Sequence, residues 1–306
     1  MNNTNFNICK ANIEQHNTIL EKFPKMSNEE QDNLIIYVAL DKSSNVIGRI
    51  VIIEKESPEP IVGKCWYIFN LFVETDFRRM GIGIQLVDET KRQAILSNVI
   101  YLYGSANSTA EATFFWFSQG FTLNAYGKKE DDKNKPLNYG NYNHMFSYCV
   151  HRKPFVANEN SNCIKSISTD EILKLIDTYV LDNRRKEYFK SKANDLLGFV
   201  SIGENGNTQG VVIAFPDSMQ SPLDCNRLFV NIFVEPNCRN QGIGTCLIYE
   251  MYKYARENDI VQLTNFDSTE DNIGFWYKIG FDIFFWDINS KTGKRATTAM
   301  LRVNYS

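Results

Sequence analysis

The chain has 306 residues, of which 43% are hydrophobic and 13% aromatic, and its formal net charge is −3. That composition supplies core material for one large domain or two ordinary ones, and the acidic excess, which falls in the second half, gives no overall electrostatic reason to hold a nucleic acid. Seven cysteines without a C-x-x-C pair and three histidines without H-E-x-x-H argue against a disulfide framework and a metal site. No apolar run approaches the ~20 residues that cross a bilayer. The opening MNNTNFNICK lacks the basic and apolar regions of a secretory signal, so a cytoplasmic protein without a membrane partner is expected.

In chain order, Leu34 to Ala39 and Val46 to Ile53 are rich in β-formers and separated by DKSSN, which predicts a hairpin. CWYIFNLFV, Cys65 to Val73, predicts a strand leading into the turn RRMGIG, Arg78 to Gly83. From Gly81 onward Ile82, Leu86 and Ala94 recur at helical intervals, with Asp88, Glu89, Lys91 and Arg92 on the solvated side. Val99 to Tyr103 predicts a strand and Thr109 to Ser118 a helix closed by Gly120. The order then returns: strand Leu228 to Val234, turn RNQGIG from Arg239 to Gly244, helix Ile243 to Arg256, strand Val261 to Phe266, helix Thr269 to Lys278.

The recurrence is literal. NLFVETDFRRMGIGIQL (Asn70 to Leu86) comes back as NIFVEPNCRNQGIGTCL (Asn231 to Leu247), and STAEATFFWFSQGF (Ser108 to Phe121) as STEDNIGFWYKIGF (Ser268 to Phe281). A period of about 160 residues is that of a domain, not of a solenoid unit. Two copies of one α/β fold are expected, 1–153 and 154–306, joined near HRKPFVANENSN, His151 to Asn162.

A strand, a turn and a helix beginning at glycines leave backbone N–H groups unpaired at the positive end of the helix dipole, which is an anion site. Gly81, Gly83, Gly242 and Gly244 leave the backbone bare for phosphate oxygens, and Arg78, Arg79 and Arg239 add charged donors. One isolated G-x-G is more simply a tight turn with solvated arginines; its return between the same strand and helix favours a diphosphate. Walker A would need a Lys-Ser or Lys-Thr after the glycines, and the dinucleotide fingerprint fails at Leu86 and Leu247.

V-x-x-x-x-R-x-x-G-I-G-x-x-L followed by F-[WY]-x-x-x-G-F resembles the GCN5-related N-acetyltransferases (GNAT), and both copies carry it. The resemblance implies two tandem domains, each a mixed, mostly antiparallel sheet flanked by helices. It also implies acetyl-CoA as acyl donor, beside the absence of a metal expected from the histidine and cysteine pattern. The diphosphate would sit on Arg78, Arg79, Met80, Gly81, Ile82 and Gly83, and on Arg239, Asn240, Gln241, Gly242, Ile243 and Gly244. The pantetheine arm would follow Leu71, Phe72 and Val73, and Ile232, Phe233 and Val234, whose N–H groups would also polarise the thioester carbonyl; Thr269 and Asn272 would face the cofactor. The implied reaction is attack by a neutral amine, so a base must take a proton and an acid can return one to the sulfur.

The chain departs from the family at both proton-transfer positions. Where relatives carry a tyrosine, four residues before the glycine of Gly-Phe, stand Trp116 and Trp276. Either Tyr277, about 100° further around the helix, or another tyrosine substitutes, or none is used, since a thiol of pKa about 8.5 can leave as thiolate. Where some relatives carry a glutamate stand Gly104 and Thr264; Asp267 is the candidate base, with Asn107 opposite it in the first copy, and its plainer role is a helix cap. Asn70 and Asn231 occupy the position where relatives hold the substrate amine with an acid; asparagine accepts a hydrogen bond but neutralises no cation.

The acceptor expected is a primary amine of a small molecule, such as an antibiotic or amino sugar, or of a peptide or protein. The alternative is a non-catalytic acetyl-CoA-binding regulatory protein, and acetylation of an aminoacyl-tRNA is disfavoured by the acidic balance. Both halves are expected to hold CoA. The second is expected to carry most of the turnover, because Tyr277 and Asp267 stand where the first half has Phe117 and Asn107.

Overall fold

A computed structural model describes residues 6–24, 26–56, 63–107, 110–128, 142–150, 164–180, 183–216, 226–268, 270–288 and 295–303. The chain divides into two compact units, Met1–Arg152 and Lys153–Ser306. The expected linker, His151 to Asn162, lies outside the described residues.

The first unit runs β1 (Phe6–Lys10), α1 (Ile13–Leu20), α2 (Asn28–Asp32), β2 (Leu34–Asp41), β3 (Val46–Glu56), β4 (Lys64–Val73), α3 (Ile82–Leu96), β5 (Tyr101–Asn107), α4 (Ala110–Ser118), β6 (Thr122–Lys128) and β7 (Tyr142–Cys149). Its sheet has the order β1-β2-β3-β4-β5-β7-β6 and is antiparallel except between β4 and β5. Residues opposite one another on antiparallel strands project to the same face. Val51 packs with Ile19 of α1, Ile36 and Val38. On the other face Gly48 lies so close to α3 that an added Cβ would fall 2.9 Å from Ile82 Cγ2.

The second unit repeats the plan: β8 (Ile164–Ser166), α5 (Thr169–Tyr179), α6 (Asn183–Lys190), β9 (Leu197–Ile202), β10 (Thr208–Pro216), β11 (Arg227–Val234), α7 (Ile243–Glu257), β12 (Gln262–Ser268), α8 (Glu270–Lys278), β13 (Asp282–Ile288) and β14 (Arg295–Arg302). The order β13-β14-β12-β11-β10-β9-β8 matches the first sheet strand for strand, and β11–β12 is again the parallel pair. Among the described residues, no helix is long and apolar enough to cross a membrane.

The Gly-Phe pair that closes each copy is a helix stop. Phe121 N donates to Trp116 O and Gly120 N to Phe117 O, while Phe281 N donates to Trp276 O and Gly280 N to Tyr277 O. Gly120 and Gly280 have φ of 84° and 90°, a left-handed conformation that glycine adopts without a Cβ penalty. This stop brings the tryptophan and phenylalanine rings together, 5.1 Å apart in the first copy and 4.7 Å in the second.

One expected boundary is corrected. Asp267 is not beyond its strand: β12 extends to Ser268, through a register irregularity against β14 between Asn265 and Ser268. Its backbone belongs to the sheet, two residues short of the position that caps α8.

Candidate active site

The parallel pairs are short. β4 pairs with β5 from Cys65↔Tyr101 to Ile68↔Gly104, and β11 with β12 from Arg227↔Gln262 to Phe229↔Thr264. Beyond them β4 and β11 continue to Val73 and Val234 while bonded only to β3 and β10. The edges of 69–73 and 230–234 thus turn backbone groups into a cleft between diverging strands, available to an extended ligand. In β4 the departure coincides with a bulge, where the register shifts between Val51 and Ile52; β11 pairs with β10 without one.

The last paired positions have no room for a catalytic carboxylate. A Cβ on Gly104 would lie 2.4 Å from Phe146 Cζ and 2.8 Å from Ile68 O. Thr264 is fully buried, and the adjacent Asn265 donates from Nδ2 to Val230 O at 2.8 Å.

The glycine turns are built alike. A 3-10 turn (Thr75–Phe77 or Pro236–Cys238) leads to an extended arginine whose Nε donates back to the strand end, Arg78 to Val73 O at 3.1 Å and Arg239 to Val234 O at 3.2 Å. Arg79 and Gly81 have φ of 63° and 81°, and Asn240 and Gly242 have 62° and 82°. The first helical backbone bonds run from Gln85 N to Gly81 O and from Cys246 N to Gly242 O, and neither helix has a side-chain cap. The N–H groups ahead of those donors, at the positive helix end, are free for an anion. Arg78, Arg79 and Met80, like Arg239, Asn240 and Gln241, are exposed.

The two glycines of each turn have different reasons. Gly81 and Gly242 serve the left-handed backbone, and a Cβ on Gly81 would meet nothing within 4 Å. A Cβ on Gly83 would meet Phe115 at 3.4 Å, and one on Gly244 would meet Phe275 at 3.2 Å. The second glycine thus lies against an aromatic ring of the following helix, at ordinary contact distance for Gly83 and more tightly for Gly244.

The alternation of β4 places Leu71 and Val73 on the α3 face and Asn70 and Phe72 on the α1 face. In β11, Ile232 and Val234 lie toward α7, with Asn231 and Phe233 toward α5. Both asparagines keep a buried amide atom without a partner, Asn70 Oδ1 and Asn231 Nδ2. Buried polar atoms without a protein partner thus stand at the same place in both copies, where the strands part.

Trp116 and Trp276 are core residues, 5% and 1% exposed, and Trp116 stacks on Phe146 at 3.9 Å. Tyr277 is half-buried and Asn272 exposed. The side chains of Asp267 and Asn107, and the whole of Thr269, lie outside the described residues. Among the described residues, no group of three or more His, Cys, Asp or Glu is placed to hold a metal ion.

Sequence reasoning passed over a polar set on the α1 face of the first sheet. Tyr67, Tyr101 and Tyr103 form a ring cluster with neighbouring centroids 5.2 Å and 5.5 Å apart. Burial pushes the Cys65 thiol beside them up to about 11, despite the tyrosine hydrogen bonds, and burial also raises Tyr103. Arg49, only 8% exposed, lies on the same face opposite Phe72. Its signal was available: one arginine inside the apolar run VIGRIVII.

The model of the acetyltransferase (GNAT) family matches residues 8–121 and 155–281. Among solved structures, a GNAT-family acetyltransferase of Staphylococcus aureus is similar at 17% identity, with a TM-score of 0.34, over 47% of this chain and 99% of that one. A GNAT-family acetyltransferase of Elizabethkingia anophelis with acetyl-CoA bound is similar at 17% identity and a TM-score of 0.37, over 47% and 98%. NAA60 of Arabidopsis thaliana in complex with a bisubstrate analogue is similar at 14% identity and a TM-score of 0.35, over 47% and 98%. Among curated proteins no relative matches the chain.

Proposed function

Since the chain belongs to the acetyltransferase (GNAT) family, we propose that it moves an acetyl group from acetyl-CoA to a primary amine, that of a small molecule such as an antibiotic or amino sugar, or of a peptide or protein. The observation that carries this reading is the doubled arrangement of a parting strand pair, an arginine-led left-handed turn and an uncapped helix. The residues fit the donor on their own chemistry. The helix N-terminus with Arg78 or Arg239 suits a diphosphate, and the open edge of 69–73 or 230–234 suits an amide-bearing arm. The orphaned Asn70 and Asn231 suit a polar group brought to where the strands part.

Acetyl-CoA supplies the acetyl group as a thioester, so transfer to a neutral amine forms a C–N bond and breaks the C–S bond, and the proton lost from the nitrogen balances the departing thiolate as one free thiol. The chain's part is to hold the diphosphate, align the arm along the strand edge, and donate backbone N–H groups toward the carbonyl. With tryptophan packed into the core where relatives carry tyrosine, departure as thiolate needs no acid from that position.

The test is incubation with acetyl-CoA and a panel of primary amines while free thiol is measured. Amine-dependent thiol release supports transfer. Tight acetyl-CoA binding with no release on any amine would instead support the second reading, a CoA-binding regulatory protein, which the buried tryptophans favour.

A further inference from the structure

The two copies differ most on the sheet face that carries Asn70 and Asn231. In the second unit that face is packed shut. Val211, Ile213, Phe215 and Phe229 join Ile172 and Ile176 of α5 in one apolar cluster, with Phe233 and Tyr179 against it. The Tyr179 ring stacks on Phe233 at 4.1 Å and its hydroxyl hydrogen-bonds Glu235.

The strand registers put Arg49 opposite Phe72 where the second copy has Val211 opposite Phe233. Among the described residues no ring stacks on Phe72 as Tyr179 stacks on Phe233. Instead a cavity of about 390 Å³ opens between α1, the β2–β3 turn and the end of β4, lined by Arg49, Phe72, Glu74, Gln15, Thr18 and Lys22. Arg49 is more than nine-tenths buried, and its guanidinium lies 4.5 Å from the Phe72 ring and 5.9 Å from that of Phe23. Its buried Nε has no hydrogen-bond partner, and Glu74 compensates its charge only at longer range. A buried guanidinium is costly unless an anion pairs with it.

We propose that the first unit is the acceptor-binding half and that its acceptor is a small amine bearing a carboxylate, held by Arg49 with the amine toward Asn70. The assignment rests on the acetyltransferase reading above. Val51 pairs with Asn70, so Arg49 and Asn70 are diagonal neighbours on adjacent strands, about 7–8 Å apart at Cα. Arg49 and Phe72 line the cavity while Asn70 lies beyond it, two residues before Phe72 on the same face, so an acceptor seated on the guanidinium has to extend past Phe72 to bring its amine to Asn70 Oδ1; the planar guanidinium matches the carboxylate. Glu14 and Glu74 offset Lys22 and Arg49 in the cavity lining, so the formal charge there balances and a monoanion suits it better than a phosphate. Turnover then belongs to the first unit, with the second as a CoA-holding partner, which removes Asp267 and Tyr277 from the chemistry.

The experiment compares ω-amino carboxylates of two to six carbons with n-alkylamines of the same length, by thiol release from the full chain. At least one amino carboxylate is expected to exceed its alkylamine tenfold or more in kcat/KM. Arg49→Gln should raise KM for that acceptor at least tenfold, Arg49→Lys less, with KM for acetyl-CoA and for alkylamines unchanged. Arg78→Glu should cut turnover at least tenfold. Equal use of both series by the unaltered chain would overturn the proposal even if Arg49→Gln fails to fold, and so would turnover unchanged in Arg78→Glu. Absence of acetyl-CoA binding in calorimetry would instead sink the acetyltransferase reading itself.

Discussion

Replacing each glycine of the first turn by alanine separates its backbone role from its packing role. Gly81 has φ of 81°, and a Cβ there would touch nothing within 4 Å. The cost of Gly81→Ala is therefore that of the left-handed backbone, about 1–2 kcal/mol. For a unit of this size that lowers the melting temperature by about 2–8 °C, unless the turn flips and releases the strain by misdirecting its N–H groups. Gly83 is helical, and its Cβ would meet Phe115 Cε2 at 3.4 Å, an ordinary contact. Gly83→Ala should then be neutral or stabilising, by up to about 1 kcal/mol of helix propensity. Gly244→Ala, at 3.2 Å from two atoms of Phe275, should recover less of that gain. Calorimetric melting with CoA titration reads both effects. Gly81→Ala should lose melting temperature or CoA affinity, and Gly83→Ala should lose neither. If Gly83→Ala abolished CoA binding with its melting temperature intact, phosphate would approach the backbone at Gly83, and the packing account of that glycine would be refuted.

Trp276→Phe should retain most of the turnover on any amine substrate and lower the melting temperature, because the ring is buried against Phe281; loss of turnover at unchanged stability would show that the indole takes part in the chemistry. Gly104→Ala should destabilise by about 1–3 kcal/mol or more, since its Cβ would lie 2.4 Å from Phe146 Cζ and 2.8 Å from Ile68 O; a variant as stable as the parent in denaturant melts would contradict that crowding. Tyr179 is pushed up to about 12, first by burial and then by its hydrogen bond to Glu235 and that group's charge. Its stabilising contribution is complete below the unfolded value near 10 and is lost as pH rises toward 12. Stability of the parent should therefore fall across that interval more steeply than that of Tyr179→Phe; identical profiles would contradict the assignment.

The doubled fold and both turns were legible because their signals are local: a glycine that must be left-handed, an arginine at a fixed distance after the strand, and helical periodicity after it. The helix stop at Gly120 and Gly280 was legible for the same reason. Helix α1 carries a capping box between Asn12 and Gln15, and α5 one between Ser168 and Glu171, yet neither was read. Each is short, and α1 buries only Ile19, so its apolar periodicity is weak. The end of β12 was misplaced because pairing with β14, a distant segment, draws Asp267 into the sheet, and no local preference encodes that. The difference between Arg49 and Val211 was visible as residue types, but its meaning depends on the register that sets one opposite Phe72 and the other opposite Phe233.

The claim that both turns hold a diphosphate is tested most directly by calorimetric titration of CoA and of pantetheine, which lacks the phosphates, into the parent chain and into the double variant Arg78→Glu with Arg239→Glu. One charge-assisted bond at an exposed site contributes on the order of 1.4 kcal/mol, or tenfold, and reversing the charge roughly doubles the exponent. CoA affinity should fall by about a hundredfold while pantetheine affinity stays within twofold of the parent's. Equal losses for CoA and pantetheine, or none for either, would contradict the account.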